Sequence, residues 1–345
     1  MVRSNIINNP LISITPSASL SSSDILNMSI LAEKNQMTGI WIGETLGRAA
    51  VPILSAISQK TSNLLLYSGI LNVFSITPMK AAMFAATIDE LSNGRFILGL
   101  GSSTPTLINL HGVDFKNPLI RSKEYIEVVR RLLDGEKLSY HGDSISLTNS
   151  RLLIKPVQQK IPIYQAALNH KMASIAGMFA DGIILNMATA NYAKEILSVF
   201  NKNVRVSGRD PNSLDKSLYL FIYISKNKND DLSKIKSYAK KAISFYASAS
   251  FYDQMLKTSG FSYEIEKIHD KLNLKEKKLL VEEISDKMVD ELTIIGDCDH
   301  AFDRLNEYAS SGISHFVLSP ILSSTNINDD LLTFFNRFTA LTNFK

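Results

Sequence analysis

The chain has 345 residues, of which 45% are hydrophobic and 20% are charged, and its 37 basic and 33 acidic residues give a net charge of +4. The charges are interspersed and form no basic tract with interleaved aromatic residues, so we expect no nucleic-acid partner. No run approaches the ~20 apolar residues of a membrane helix, and the amino-terminal segment has no apolar core of signal-peptide length. The single cysteine, Cys298, excludes an internal disulfide framework and suits a reducing cytoplasm.

Strand-like and helix-like signals alternate along the chain. Short apolar or β-branched runs predict strands, and apolar residues at helical spacing predict helices. The eight predicted strands are Leu11–Thr15, Thr38–Gly43, Asn63–Leu71, Phe96–Leu100, Ile163–Ala167, Gly182–Leu185, Leu218–Ser225 and Ile313–Leu318. One predicted helix follows the cap cluster at residues 21–24, and the others are Ala49–Gln59, Thr77–Leu91, Pro118–Asp134, His170–Phe179, Asn191–Asn201 and Leu331–Leu341.

Two stretches depart from this alternation. Residues 135–160 carry turn signals and alternating polarity, which predict a small hairpin. Residues 226–289 are rich in Lys, Glu and Ser with helical stripes, and they predict a helical insertion with a solvated Lys-rich face. Eight strands and their helices, with no dividing linker, predict a single α/β domain over residues 1–345, a (β/α)8 TIM barrel.

A barrel of this kind places its site at the carboxyl ends of the strands. The most informative segment is NGRFILGLGSS, residues 93–103, which is a turn, an apolar strand and a loop of Gly and Ser. Small residues there let a ligand approach the backbone closely. We expect the loops to gather polar and small residues at this face, namely Glu44, Thr45, Arg48, Gly69, Ser102, Ser103, Thr104, Asn169, His170, Asn186 and Thr189.

The segment DELSNGRFILGLGSS, residues 89–103, resembles the fourth-strand signature of the bacterial luciferase-like superfamily, Asp-x-Leu-Ser-x-Gly-Arg-Phe-x-Leu-Gly-x-Gly. Further matches follow in family order: IWIGE, YSGILN, RSKEYIEVVRRLLDGEKLSYHGDSISL, IPIYQAALNHKMASIAGMFADGIILN and IIGDCDHAFDRLNEYASSGISHFVLS. The resemblance is strong over residues 36–205, moderate over 290–320 and weak in the insertion. Within the superfamily the chain is most similar to enzymes that use the deazaflavin coenzyme F-420, such as methylenetetrahydromethanopterin reductase.

The resemblance implies a barrel that binds coenzyme F-420, or alternatively FMN, and transfers a hydride between the coenzyme and a small organic substrate. It also implies a bulge with a non-proline cis peptide at Ser68-Gly69-Ile70, which backs the coenzyme ring. The cofactor-binding residues carried over from the family pattern are Gly69, Ile70, Ser102 and Ser103 at the ring, Leu168 and Asn169 near the coenzyme, and Asn186 and Thr189 at its phosphate and tail.

Departures from the family pattern affect proton chemistry. Many relatives carry Asp-His where this chain has Glu44-Thr45, and they often carry an acid where it has Thr104. The reductase carries a Glu at the first strand, where this chain has Ser13 and Thr15. Glu44 and Thr45 are therefore the candidate catalytic residues. Glu44 is assigned hydrogen bonding to coenzyme or substrate, with general acid–base work as the bolder hypothesis, and Thr45 is assigned hydrogen bonding. A rim carboxylate paired with Arg48 is the alternative for Glu44.

Two other functions stay open from the sequence. An FMN-dependent monooxygenase shares every motif above, and a non-catalytic flavin-binding barrel would explain the missing His and acids. GLGSST lacks the third Gly of a dinucleotide fingerprint, which excludes a Rossmann site. The histidines show no metal-ligand spacing: His170 is expected at the pocket edge, His111 and His141 in loops, His269 in the insertion and His315 in the core. We expect a homodimer or homotetramer.

Overall fold

The computed structural model describes residues 10–324 and 326–342. Eight strands of one sheet follow each other in space and run parallel in the observed registers, and the strand that ends at Asn186 also pairs with the strand that begins at Asp215, which closes the sheet. The prediction of an α/β fold with a (β/α)8 TIM barrel is thereby confirmed. The closed set consists of β1 (Leu11–Ile14), β2 (Gly39–Ile42), β3 (Leu65–Ser68), β5 (Phe96–Gly101), β8 (Ile163–Ala166), β9 (Gly182–Asn186), β10 (Asp215–Ile224) and β12 (His315–Pro320).

Four further strands lie outside this set. They are β4 (Leu71–Asn72) beside β5, the antiparallel hairpin β6 (Leu138–His141) and β7 (Ser146–Ser150), and β11 (Thr293–Gly296) beside β10. The hairpin confirms the interpretation of residues 135–160.

The described helices follow the strands in chain order, and short 3-10 turns lie at Pro211–Ser213, Ser250–Tyr252 and Lys277–Glu283. None of these helices is both long and apolar enough to cross a membrane. The α-helices are α1 (Ser22–Lys34), α2 (Ala50–Ser58), α3 (Pro78–Leu91), α4 (Pro105–Leu110), α5 (Pro118–Leu133), α6 (His170–Phe179), α7 (Ala190–Val206), α8 (Ser233–Ala247), α9 (Asp253–Thr258), α10 (Ser262–Asn273), α11 (Asp286–Leu292), α12 (Cys298–Ser310) and α13 (Ile327–Thr342).

The sequence interpretation missed α4, β11 and α12. Helix α4 has only six residues and β11 only four, so neither has enough length to show a period. Helix α12 begins behind Asp297, whose carboxylate accepts from the His300 N–H at 2.9 Å. That capping Asp is the signal that would have located it.

The described chain forms two compact units. The first comprises residues up to Ile12 with Leu185–Leu197 and Lys216 onward, and the second comprises Ser13–Ile184 and Ser198–Asp215. The prediction of one domain over the whole chain stays a prediction.

The core of the second unit contains an aromatic layer. The rings of Trp41 and Tyr67 stack with centroids 4.2 Å apart, and Tyr164 lies 6.1 Å from Tyr67 in a tilted arrangement. The Tyr164 hydroxyl hydrogen-bonds to the Asp215 carboxylate. Gly39 makes room for this layer, since a Cβ there would lie 2.6 Å from the Tyr67 ring.

Arg95 closes the amino-terminal end of the neighbouring strands. It follows the Asn93-Gly94 turn, where both residues have positive φ, at 54° and 80°. Its guanidinium donates to Thr61 Oγ1 and to the carbonyl oxygens of Ser58, Thr61, Leu64 and Ser92. The segment NGRFILGLGSS therefore has a structural arginine at the amino-terminal end of β5, and its Gly and Ser residues lie at the carboxyl-terminal end of the same strand.

The helical insertion has a core of its own within the first unit. Leu256, Phe261 and Ile265 are fully buried there, and the His269 ring bonds to the Asp253 carboxylate at 2.8 Å. On α8, the Lys236 and Lys240 ammonium groups pair with Asp290 and Asp286 of α11. The prediction of a helical stretch is confirmed, and part of its Lys-rich face pairs with acidic side chains.

Candidate active site

The chain leaves the sheet for two residues between β3 and β4. The Ser68 hydroxyl donates to the Gly99 carbonyl oxygen at 3.0 Å and accepts from the Gly99 N–H at 2.9 Å, so a side chain replaces backbone pairing here. The Gly69 N–H donates to the Ile42 carbonyl oxygen at 2.8 Å, and the Gly69–Ile70 peptide bond is cis. β4 then pairs with the end of β5. The bulge and its cis peptide, which the resemblance implies, are confirmed.

Small residues surround this bulge. A Cβ on Gly43 would lie 2.9 Å from the Gly69 carbonyl oxygen. A Cβ on Gly101 would lie 2.8 Å from Ile70 Cδ1 and 3.2 Å from Ala166 Cβ. Gly69 and Ile70 are themselves partly exposed. The bulge therefore presents a narrow apolar surface that a ligand can reach and that larger neighbours would crowd.

The loop after β2 holds the two candidate catalytic residues. Glu44 Oε1 accepts a hydrogen bond from the Ala50 N–H at 3.0 Å, which caps the first turn of α2. Arg48, the partner that the alternative assigns to Glu44, donates to Ser22 Oγ at 3.2 Å. Thr45 is exposed. The structure thus gives Glu44 a capping role that the sequence interpretation did not foresee, and its second carboxylate oxygen is available for other contacts.

The loop after β5 carries Ser102 and Ser103, both partly exposed. Ser103 adopts a positive φ of 59°, a conformation found for few residues other than glycine. Thr104 follows as the N-cap of α4, and its hydroxyl accepts from the Leu107 N–H at 3.4 Å. Where relatives often carry an acid, this chain therefore has a helix cap.

The loop after β8 places Leu168 and Asn169, both partly exposed, before α6. Asn169 Oδ1 accepts from the Met172 N–H at 3.0 Å, so this side chain is the N-cap of α6. His170 is the first residue of the helix and is partly exposed. The Asn169 amide can still donate through Nδ2, because capping uses only its oxygen.

Asn186 and Thr189, at the end of β9, have partners inside the first unit. Asn186 Nδ2 donates to Tyr252 Oη at 2.8 Å. The Thr189 hydroxyl lies 3.1 Å from Ser259 Oγ and accepts from the Tyr192 N–H at 3.3 Å, and Thr189 is only 4% exposed. A buried hydroxyl with two partners favours a structural role for Thr189, and its contact with a coenzyme tail stays a prediction.

Tyr252 is a residue that the sequence interpretation missed. It lies in the insertion, where the family resemblance is weak, and its ring centroid is 5.3 Å from that of Tyr246. The aromatic residues at 245–252 were the only available signal, and nothing in their spacing connects them with Asn186.

The histidines lie on different elements of the chain. His315 is fully buried in β12, as predicted, and His269 pairs with Asp253 in the insertion. His141 is the last residue of strand β6, which corrects its assignment to a loop, and its Nδ1 lies 3.0 Å from Ser146 Oγ. Among the described residues, no group of three or more His, Cys, Asp or Glu side chains could hold a metal ion.

The residues around the bulge fit a flat, largely apolar ring. Gly101 and Ala166 contribute almost no side-chain bulk, and Ile70 adds an aliphatic face. Hydroxyl groups of Ser102 and Ser103 follow directly in the chain and supply polar contacts for a ring edge. A deazaflavin or flavin ring has this combination of apolar faces and polar edges.

Comparison with known proteins gives the relatives of this chain. The 5,10-methylenetetrahydromethanopterin reductase of Archaeoglobus fulgidus is 26% identical over 298 residues, which are 84% of this chain and 88% of the relative. The reductase of the same name from Methanolobus tindarius is 28% identical over 295 residues, with the same two shares.

A solved structure and a family model agree with these relatives. The coenzyme F-420-dependent tetrahydromethanopterin reductase from Methanopyrus kandleri matches with a TM-score of 0.83 at 20% identity, covering 95% of this chain and 98% of that one. The model of the luciferase-like monooxygenase family matches residues 12–315. The chain therefore belongs to the luciferase-like monooxygenase family.

Proposed function

We propose that this protein is an oxidoreductase that transfers a hydride between coenzyme F-420 and a small organic substrate, in the manner of the methylenetetrahydromethanopterin reductases. The observation that carries the proposal is the Gly69–Ile70 bulge, packed on Gly101 and Ala166 and partly exposed. The two archaeal reductases that match most of the chain support the choice of coenzyme.

In this proposal the bulge holds the ring in place. Gly69 and Ile70 back one face, which leaves the other face for the substrate. Ser102 and Ser103 contact the ring, and Leu168 and Asn169 approach the coenzyme. The resemblance assigns Asn186 and Thr189 to its phosphate and tail. The coenzyme carries the hydride, and the protein fixes the distance and orientation between the coenzyme ring and the substrate.

Glu44 and Thr45 are the proposed catalytic residues. The Glu44 oxygen that caps α2 fixes the carboxylate, since Oε1 is held by the Ala50 N–H. Its second oxygen can then accept a hydrogen bond from the substrate, and the exposed Thr45 hydroxyl can donate one beside it.

The direct test is titration of the purified protein with oxidised F-420, followed by absorbance and fluorescence. We expect saturable spectral changes with a micromolar or lower Kd. Unchanged ring spectra across the titration would refute the coenzyme assignment.

A parallel titration with FMN separates the alternatives. Tighter binding of FMN, with oxygen consumption by the reduced complex, would favour the monooxygenase. Binding of F-420 without turnover in a broad screen of substrates would favour the non-catalytic barrel.

We also propose that the protein acts in the cytoplasm as a homodimer or homotetramer. The single cysteine supports a reducing compartment. The proposed oligomeric state rests on the family resemblance. Sedimentation equilibrium measures the oligomeric state, and a monomer at micromolar concentration would contradict it.

A further inference from the structure

The amide of Asn186 is held by a phenol of the helical insertion. Asn186 Nδ2 donates to Tyr252 Oη at 2.8 Å. Tyr252 closes the 3-10 turn that follows α8, and its ring centroid lies 5.3 Å from that of Tyr246 in the last turn of α8. One residue of the insertion thus contacts the side chain at the end of β9.

The residues around Tyr252 are buried and hydrogen-bonded. Tyr252 is 8% exposed, and Met255 and Leu256, one turn later, are fully or almost fully buried. Its neighbour Asp253 is bound to His269 of α10 at 2.8 Å. Because the residues that follow Tyr252 are buried and hydrogen-bonded within the insertion, the position of Tyr252 Oη is well defined.

Tyr252 holds Asn186 as a neutral group. Burial raises the pKa of Tyr252 above that of a free tyrosine. At neutral pH its hydroxyl therefore keeps its proton, and its effect on Asn186 is orientation rather than charge.

This orientation selects what Asn186 offers to a ligand. The nitrogen and oxygen of an amide point in different directions, so an amide whose Nδ2 faces Tyr252 turns its Oδ1 away from it. Asn186 is partly exposed, so this oxygen can accept a hydrogen bond. A carbonyl oxygen suits a hydroxyl or a ring N–H and repels a phosphate.

We propose that Tyr252 is a positioning residue of the coenzyme site, which fixes Asn186 so that its Oδ1 accepts a hydrogen bond from a hydroxyl or N–H of the deazaflavin core. The inference rests on the proposed function and deepens it, because it replaces the phosphate contact implied for Asn186 by one to the polyol or ring.

The test is a double-mutant cycle with two ligands, F-420 and its phosphate-free deazaflavin core. We expect Asn186→Ala to weaken both ligands by about tenfold, and Tyr252→Phe to weaken both by about fivefold. In the Asn186→Ala background, Tyr252→Phe should have almost no further effect, because it acts through Asn186. Tyr263→Phe is the matched control, since Tyr263 lies in the same insertion and is 68% exposed.

The outcomes separate the two proposals. An equal loss from Tyr252→Phe with and without Asn186 would show a merely structural role, and a loss confined to F-420 would restore the phosphate contact. Either result overturns the inference while the proposed function stands. Binding of neither ligand by the unaltered protein overturns the proposed function.

A measurement on the unliganded protein tests the contact between Tyr252 and Asn186 even if neither ligand binds. The side-chain N–H resonances of Asn186, assigned by their absence in Asn186→Ala, should shift in Tyr252→Phe and not in Tyr263→Phe. Unshifted resonances would show that Tyr252 does not hold the amide. Melting curves of all variants confirm that each is folded.

Discussion

The two ends of the strands in the second unit are built from opposite kinds of residue. At the amino-terminal end, Arg95 and Glu33 bind backbone groups of the surrounding turns. At the carboxyl-terminal end, Gly43 and Gly101 leave room beside the bulge at Ile70. Long polar side chains stabilise the first end by satisfying its backbone, whereas small residues keep the second end accessible. Stability and ligand binding should therefore be separable by mutation.

The largest effect is expected from Arg95→Ala, which removes five donated hydrogen bonds. Partial burial of the guanidinium lowers the pKa of Arg95 and leaves few waters to replace these bonds. We expect the free energy of unfolding to fall by about 3 kcal/mol, measured by denaturant titration. Arg95→Lys should lose less. If fully folded Arg95→Ala bound F-420 more weakly, stability and ligand binding would not be separable between the two ends.

Gly101→Val should have the complementary effect at the carboxyl-terminal end. Its Cβ alone would lie 2.8 Å from Ile70 Cδ1, so the branched side chain must displace the bulge. We expect F-420 binding to weaken by at least about tenfold. Gly47→Val is the matched control, because a Cβ on Gly47 meets no atom within 4 Å. Equal affinities of the two variants would place the ring elsewhere.

Glu33→Gln tests the amino-terminal end through pH. Partial burial opposes ionisation of Glu33, but hydrogen bonds from the Asn63, Ser62 and Leu64 N–H groups outweigh it and lower its pKa from 4.5. The carboxylate therefore stabilises the fold above its ordinary pKa, and this contribution is lost as pH falls through the lowered value. We expect a difference of about 1 kcal/mol from the Gln variant at neutral pH, allowing for solvent screening.

The measurement is the unfolding free energy of both proteins from neutral pH down to about pH 3. We expect the difference in unfolding free energy between the two proteins to shrink as the pH falls. A difference that grows instead would contradict the stabilising role of the Glu33 carboxylate.

The smallest stability effect is expected from Glu44→Gln at the carboxyl-terminal end. The Gln carbonyl oxygen can still accept from the Ala50 N–H, so the cap of α2 should survive with a loss of a few tenths of a kcal/mol. If the second Glu44 oxygen contacts the substrate, turnover with F-420 should fall while coenzyme affinity is kept. Unchanged turnover would show that Glu44 caps α2 and has no catalytic role.

The sequence predicted the bulge well and the capping residues poorly. YSGILN and NGRFILGLGSS lie within continuous family matches, so Gly69 and Ile70 could be placed by order and spacing. Thr104 and Asn169 fit the same matches, yet their side chains bind helix N–H groups a few residues ahead. A resemblance assigns a position, and it does not show which atom of the side chain is already engaged.

The sequence by itself determined the alternating strands and helices, the hairpin at residues 135–160, the family and the end of the strands where a site belongs. These follow from local periodicity and turn residues, which act over a few positions. Only the tertiary structure decided that Arg95 binds carbonyl groups of two separate connections, residues 58–64 and Ser92, and that Tyr252 contacts Asn186, 66 positions away in the sequence. Such contacts depend on how distant segments pack, and no short sequence pattern encodes them.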